Sequence, residues 1–153
     1  GQKRKDIFWV RKGSVRGFRV NDKAEEITTM LRWEDQPVAS PNLILFDQPA
    51  LLYFQAIETT KVWRLDFDRL QTIIEGNPKL EANRRHILQK ILKQALQRID
   101  SLVLLTPEER YLEFVRTKPD ILNRVPNKYI AHVLGITPVS LSRIRKRIAS
   151  KKE

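Results

Sequence analysis

Cysteine is absent from the 153 residues, and only two histidines occur, at positions 86 and 132. The first absence excludes disulfide frameworks, thiolate zinc sites, iron–sulfur clusters and cysteine nucleophiles. The second leaves too few imidazoles for a histidine-rich metal centre. No apolar run approaches the roughly 20 residues that a membrane helix needs, and the basic start has no hydrophobic segment of signal-peptide length behind it. The chain therefore reads as soluble, intracellular and free of membrane contact. Glycine is scarce too, with five residues, and no glycine-rich phosphate loop is found. What is abundant is positive charge. Lys and Arg number 29 against 18 Asp and Glu, a formal charge of +11, while 41% apolar content still permits a packed core. Such a balance favours a polyanionic partner without naming it. The charge is densest late in the chain, at Arg143, Arg145, Lys146, Arg147, Lys151 and Lys152.

Segments 7–10, 15–20, 27–33, 43–46, 51–57 and 62–65 are rich in β-branched and aromatic residues and are separated by turn residues, which predicts short antiparallel strands. From Asp66 the period changes to that of a helix. Phe67, Leu70, Ile73 and Ile74 share one face until Gly76, and Asn77-Pro78 restarts a helix that runs to about Val103. Strands followed by helices predict an α+β chain. Along the long helix, Leu88, Leu92, Ala95, Ile99 and Leu102 step by 4, 3, 4 and 3, a coiled-coil spacing suited to a homodimer. A second row, Ile87, Ile91, Leu96 and Val103, widens the apolar stripe, so that one side is expected against the chain's own barrel and the other against a second subunit. A single buried core helix is the competing reading. Thr106-Pro107-Glu108-Glu109 has the pattern of a capping box and predicts another helix start.

Residues 127–147 have the grammar of a helix-turn-helix. Ile130, Ala131 and Leu134 belong to a short helix, Gly135 suits a left-handed turn, and Thr137-Pro138 starts a second helix with Leu141, Ile144 and Ile148 on its inner side. That leaves Val139, Ser140, Ser142 and Arg143 to read base edges in double-stranded DNA. Asn127, Lys128, Thr137, Arg145 and Lys146 are expected to hold phosphates. Two readings compete: a helical hairpin used only for packing, and a protein-interaction or ligand-sensing module whose helices make no DNA contact. The acidic residues at 66–68 and 108–109 are better explained as helix starts than as catalytic pairs. No enzyme, metal site or cofactor is expected.

The runs Leu-Thr-Pro-Glu-Glu-Arg-Tyr-Leu at 105–112 and Val-Pro-Asn-Lys-Tyr-Ile-Ala-His-Val-Leu-Gly-Ile-Thr-Pro-Val-Ser-Leu-Ser-Arg-Ile-Arg at 125–145 resemble the winged-helix end of the cyclic-AMP receptor protein/fumarate-nitrate regulator (Crp/Fnr) family, in the branch common in Bacteroidetes-type bacteria. Gly-Ser-Val-Arg at 13–16 is similar to a segment of that family's roll. The resemblance covers nearly the whole chain. It implies an N-terminal cyclic-nucleotide-binding-type β-roll over residues 1–76, here lacking its first strands, a dimerisation helix over 77–105 and a winged helix-turn-helix over 106–153. It further implies a cytoplasmic transcription regulator that binds a palindromic operator, with RNA polymerase as a further partner. Family members that bind cyclic AMP carry a Gly-Glu pair and an Arg followed by a small residue. Here Ala39-Ser40-Pro41-Asn42 and Gln48-Pro49-Ala50-Leu51 stand in those places, so cyclic AMP is not the expected effector. Trp33, Tyr53 and Phe54 are candidates either for an apolar pocket that takes another, unknown small-molecule effector or for core packing. Val139 stands where Glu is frequent, so the operator is expected to differ from one read by Glu.

Overall fold

The computed structural model describes residues 4–117 and 119–150, so the basic end at Lys151 and Lys152 lies outside the described residues. The first half folds as two small antiparallel sheets. One has the order β4-β1-β6, with β1 Asp6–Lys12, β4 Pro37–Val38 and β6 Lys61–Asp66; the other has the order β3-β2-β5, with β2 Val15–Val20, β3 Glu26–Arg32 and β5 Tyr53–Ala56. Trp9 sits opposite Trp63 in the first sheet, and Gly17 opposite both Met30 and Phe54 in the second. Gly13 makes the turn between β1 and β2 with φ +97°, and a Cβ there would come 2.5 Å from Thr60 Oγ1. No other residue type fits that turn without moving the chain around residues 59–60. The two sheets meet over a thin core in which Val10 and Val38 face Val15, flanked by Phe8 and Phe54.

Segment 43–46, expected as a strand, is instead part of helix α1, Pro41–Phe46. The local signals explain this. Ser40 stands extended at the N-cap, Pro41 occupies the first helical position, and Asp47 ends the turn in the left-handed conformation at φ 53°. A four-residue apolar run carries no period of its own, so these flanking residues decide. The remaining helix starts follow the sequence. Asp66 accepts from Arg69 N at 3.1 Å and opens α2, Phe67–Ile74; Asn77 accepts from Lys79 N and Leu80 N and opens α3, Pro78–Leu104. The capping box forms in both directions, Thr106 N donating to Glu109 Oε2 at 2.8 Å and Glu109 N to Thr106 Oγ1 at 3.3 Å. It opens α4, Pro107–Thr117, which is followed by α5 Ile121–Arg124, α6 Asn127–Leu134 and α7 Pro138–Ser150.

No residue of α3 is buried, which excludes the reading of a core helix. The expectation that one side of the widened stripe faces the chain's own barrel is also overturned: Ile87, Ile91, Leu96 and Val103 are exposed, Val103 at 75%, and so is the first row. The helix leaves the sheets and touches mainly α2, so both apolar rows point to solvent within one chain. The main core lies in the C-terminal helices. Tyr111, Ile121, Val125, Ile130, Ala131, Leu134, Leu141 and Ile144 form one cluster that also takes in Leu31 of β3, with Trp33 and Ile57 packed against it. The helical end is thus docked on the second sheet. No strand follows β6 among the described residues, so the wing hairpin is not among them.

Candidate nucleic-acid interface

Gly135 closes α6 in the left-handed conformation, φ 68° and ψ 36°, and a Cβ added there would stand 3.2 Å from Leu102 Cδ2. Three residues before Ser140, Thr137 caps α7: its Oγ1 accepts from Ser140 N at 3.1 Å and its carbonyl from Leu141 N at 3.0 Å. The cap and the turn aim α7 so that Leu141 and Ile144 enter the core at 1% and 5% exposure. The helical period then turns Val139, Ser142, Arg143 and Lys146 outward, and all four are exposed.

The predicted contacts divide into three groups. Val139, Ser142 and Arg143 form an open outer face. Ser140 is half-buried, and its hydroxyl shares a 2.9 Å hydrogen bond with Thr137, so its first duty is to the cap. Asn127 and Arg145 are brought together, with Nη1 of Arg145 donating to Asn127 Oδ1 at 2.6 Å. This bond ties the middle of α7 to the start of α6. Lys128 is exposed at that same helix start, and Lys146 on α7 is exposed as well. A groove between the start of α4 and α7 is lined by Thr106, Glu108, Ser140, Arg143 and Arg147, with Arg147 paired to Glu108. Leu88, Leu92, Ala95, Ile99 and Leu102 lie exposed along α3, apart from this interface.

Several organising residues carry no local sequence signal. Arg110 is buried and donates to the Leu134 carbonyl at 3.0 Å and the Leu105 carbonyl at 2.6 Å, satisfying backbone acceptors at two helix ends. His132 Nδ1 accepts from the backbone N–H of Thr28 in β3 at 3.2 Å. Burial first, then the Lys128 and Arg16 charges, push its pKa below the ordinary value, against a smaller opposite pull from Glu25. Arg16 is itself buried, its guanidinium 4.2 Å from the ring centres of both Phe18 and Tyr129. Of the aromatic residues considered for an effector pocket, Tyr53 stacks on Phe18, Phe54 joins the small sheet core and Trp33 packs on the helical core. Among the described residues no group of three or more metal-ligand side chains occurs, and no helix is long and apolar enough to cross a membrane.

No protein-family model matches the chain. The transcriptional activator protein Anr of Pseudomonas aeruginosa is 27% identical over 109 residues, which is 71% of this chain and 44% of that protein. The chain thus spans under half the length of this relative. Among solved structures, FixK2 from Bradyrhizobium japonicum superposes with a TM-score of 0.82 at 16% identity, covering 97% of this chain and 76% of that one. A transcriptional regulator of the CRP/FNR family from Thermus thermophilus gives 0.68 at 15% identity, covering 98% and 78%. In sequence the chain is similar to a Crp/Fnr-type regulator, and it has the fold of that family. Its two sheets are the family's cyclic-nucleotide-binding type of β-roll, and α3 is the long helix that follows the roll in that fold.

Proposed function

We propose that this protein is a Crp/Fnr-type, sequence-specific regulator of transcription that binds a palindromic site in duplex DNA as a homodimer. The observation that carries the reading is the orientation of α7: capped by Thr137, buried along Leu141 and Ile144, and open along Val139, Ser142, Arg143 and Lys146. A helix held in this way presents its N-terminal residues to a major groove. Arg143 can fork onto guanine O6 and N7, Val139 can touch a thymine methyl, and Lys128, Lys146 and the start of α7 can meet phosphates. The division of labour is a roll over residues 1–76, a dimerisation helix over 77–105 and a DNA-binding part over 106–153. The exposed row on α3 supports dimerisation, since apolar side chains left in water on so long a helix favour a partner helix. A gene regulator of this type works in the cytoplasm, beside RNA polymerase.

Cyclic AMP is not its switch. A buried cyclic phosphate needs a cation or several donors, because an unpaired buried anion costs several kcal/mol. The matching places hold Ala39–Asn42 and Pro49-Ala50, which bring no charge of their own, and the Lys5 cation near Asp47 is already paired with that carboxylate at 2.9 Å. Selection of bound sequences from random duplexes tests the main reading: a two-fold symmetric motif is expected, and recovery of unselected sequence overturns it. Calorimetry with cyclic AMP and cyclic GMP beside that assay tests the second; micromolar binding with a tenfold change in operator affinity overturns it.

A further inference from the structure

Three turns of the roll converge on one side chain from the helical end. The β1–β2 turn supplies the Gly13 N–H, which donates to Glu34 Oε1 at 2.9 Å, and Glu34 itself lies just beyond β3. Glu58 stands in the turn between β5 and β6. Into this corner α5 sends Arg124. Its Nη2 reaches Glu34 Oε1 at 2.6 Å and its Nη1 reaches Glu34 Oε2 at 3.1 Å, a two-pronged contact. Nε and Nη2 reach Glu58 Oε1 at 3.0 and 2.7 Å, and Nη1 also meets Asp120 Oδ2 at 3.1 Å. All three guanidinium nitrogens are engaged, and the side chain is only 21% exposed.

The apolar contact of Leu31, Trp33 and Ile57 with the helical core keeps the two ends together. Burial of that kind has no preferred direction. A bidentate guanidinium–carboxylate fork does have one, because both oxygens and both nitrogens must share a plane. Its partners are part exposed, so its net contribution to stability is small. What it supplies is an angle, and the N–H of the Gly13 turn fixes the carboxylate that sets it.

Resting on the DNA-binding reading, we propose that Arg124 is a positioning residue: clasped on Glu34 and Glu58, it holds the helix-turn-helix at one angle to the roll and so sets the separation of the two recognition helices in a dimer. Two half-sites one helical turn apart, about 34 Å, accept only a narrow range of separations. A pivoting head still binds each half-site but loses the gain from binding both at once.

The test has one readout without DNA and one with it. Because the chain has no cysteine, Lys61→Cys and Ala149→Cys place spin labels only on the exposed start of β6 and on exposed α7, and dilution with excess unlabelled parent leaves one labelled protomer, with one pair of labels, in each dimer. One narrow distance is expected, broadening in Arg124→Gln and in Glu34→Gln. With the palindrome selected from random duplexes, Arg124→Gln is expected to lose about tenfold in affinity, against less than about twofold on an isolated half-site, and to tolerate one added central base pair. Arg124→Lys, which keeps the charge without the fork, is expected to fall between. An unchanged distance distribution overturns the proposal, as does equal loss on palindrome and half-site. If Arg124→Gln does not fold, Glu34→Gln and Glu58→Gln decide by the same readings, and narrow distances in both overturn it. If the parent protein selects no duplex, the DNA-binding reading falls, while the distances still judge the clasp.

Discussion

In the helical end, Ile121, Ile130, Leu134 and Leu141 are almost wholly shielded from water within one cluster, whereas the two sheets meet over Val10, Val15 and Val38. The helical end orders its parts by packing. The roll relies on hydrogen-bonded ladders and on charged pairs, Lys5 with Asp47, Arg16 with Glu26 between β2 and β3, and Arg124 with Glu34 and Glu58 at its turns. The comparison teaches that the helical end owes its shape to short-range dispersion and water exclusion, while the charged contacts that join it to the roll beside the apolar one respond to pH and salt.

The largest way to break this contrast is through the core. Ile130→Ala is expected to cost about 2–5 kcal/mol, read as a fall in melting temperature and in the urea midpoint. Val10→Ala should cost less, since the thin sheet core has fewer contacts to lose; a larger cost for Val10 reverses the comparison. Next in size, Leu92→Asp places a charge in the exposed row of α3. It should weaken dimerisation by about a hundredfold or more in sedimentation equilibrium while leaving helicity unchanged. A parent chain that is monomeric at micromolar concentration removes the dimer from the proposal. Third, Arg143→Ala should cost about 1–3 kcal/mol of operator affinity and relax preference at one base pair per half-site. Lys128→Ala should weaken all duplexes alike and lower the salt slope by about one. Equal loss on operator and scrambled duplex would take base reading away from Arg143.

The smallest effect is electrostatic. The Arg124 guanidinium holds the Glu34 carboxyl down to about 2 and lowers Glu58 as well. Unfolded, these groups bind protons near the ordinary carboxylate value, so their stabilisation is complete above about pH 4.5 and is lost as pH falls towards 2. Because both are part exposed, the loss should total no more than about 1 kcal/mol. Urea unfolding at pH 5 and pH 3 should show it in the parent and not in Arg124→Gln.

Legibility in the sequence followed locality. The caps at Asp66, Asn77, Thr106 and Thr137 and the left-handed turn at Gly135 lie within four residues of the groups they serve, and each could be read directly. The outward face of α7 followed from its period once the cap was placed. Segment 43–46 was misread because hydrophobicity outweighed the Ser40-Pro41 start, and β4 is too short, at two residues, to carry a pattern. Arg124 could not be read at all. Its carboxylate partners in the roll stand 66 and 90 residues away, and His132 meets Thr28 across 104. Which basic residues are free to meet a phosphate and which are already engaged with an acid depends on such distant neighbours, as Arg147 on Glu108 shows.

The double grip of Arg110 has a mechanical consequence. One guanidinium holds the carbonyl just past the end of α3 and the last carbonyl of α6. The link between the 27-residue α3 and the C-terminal helices is therefore stiff: a torque applied to the long shaft would turn those helices with it instead of being dissipated in a slack connector.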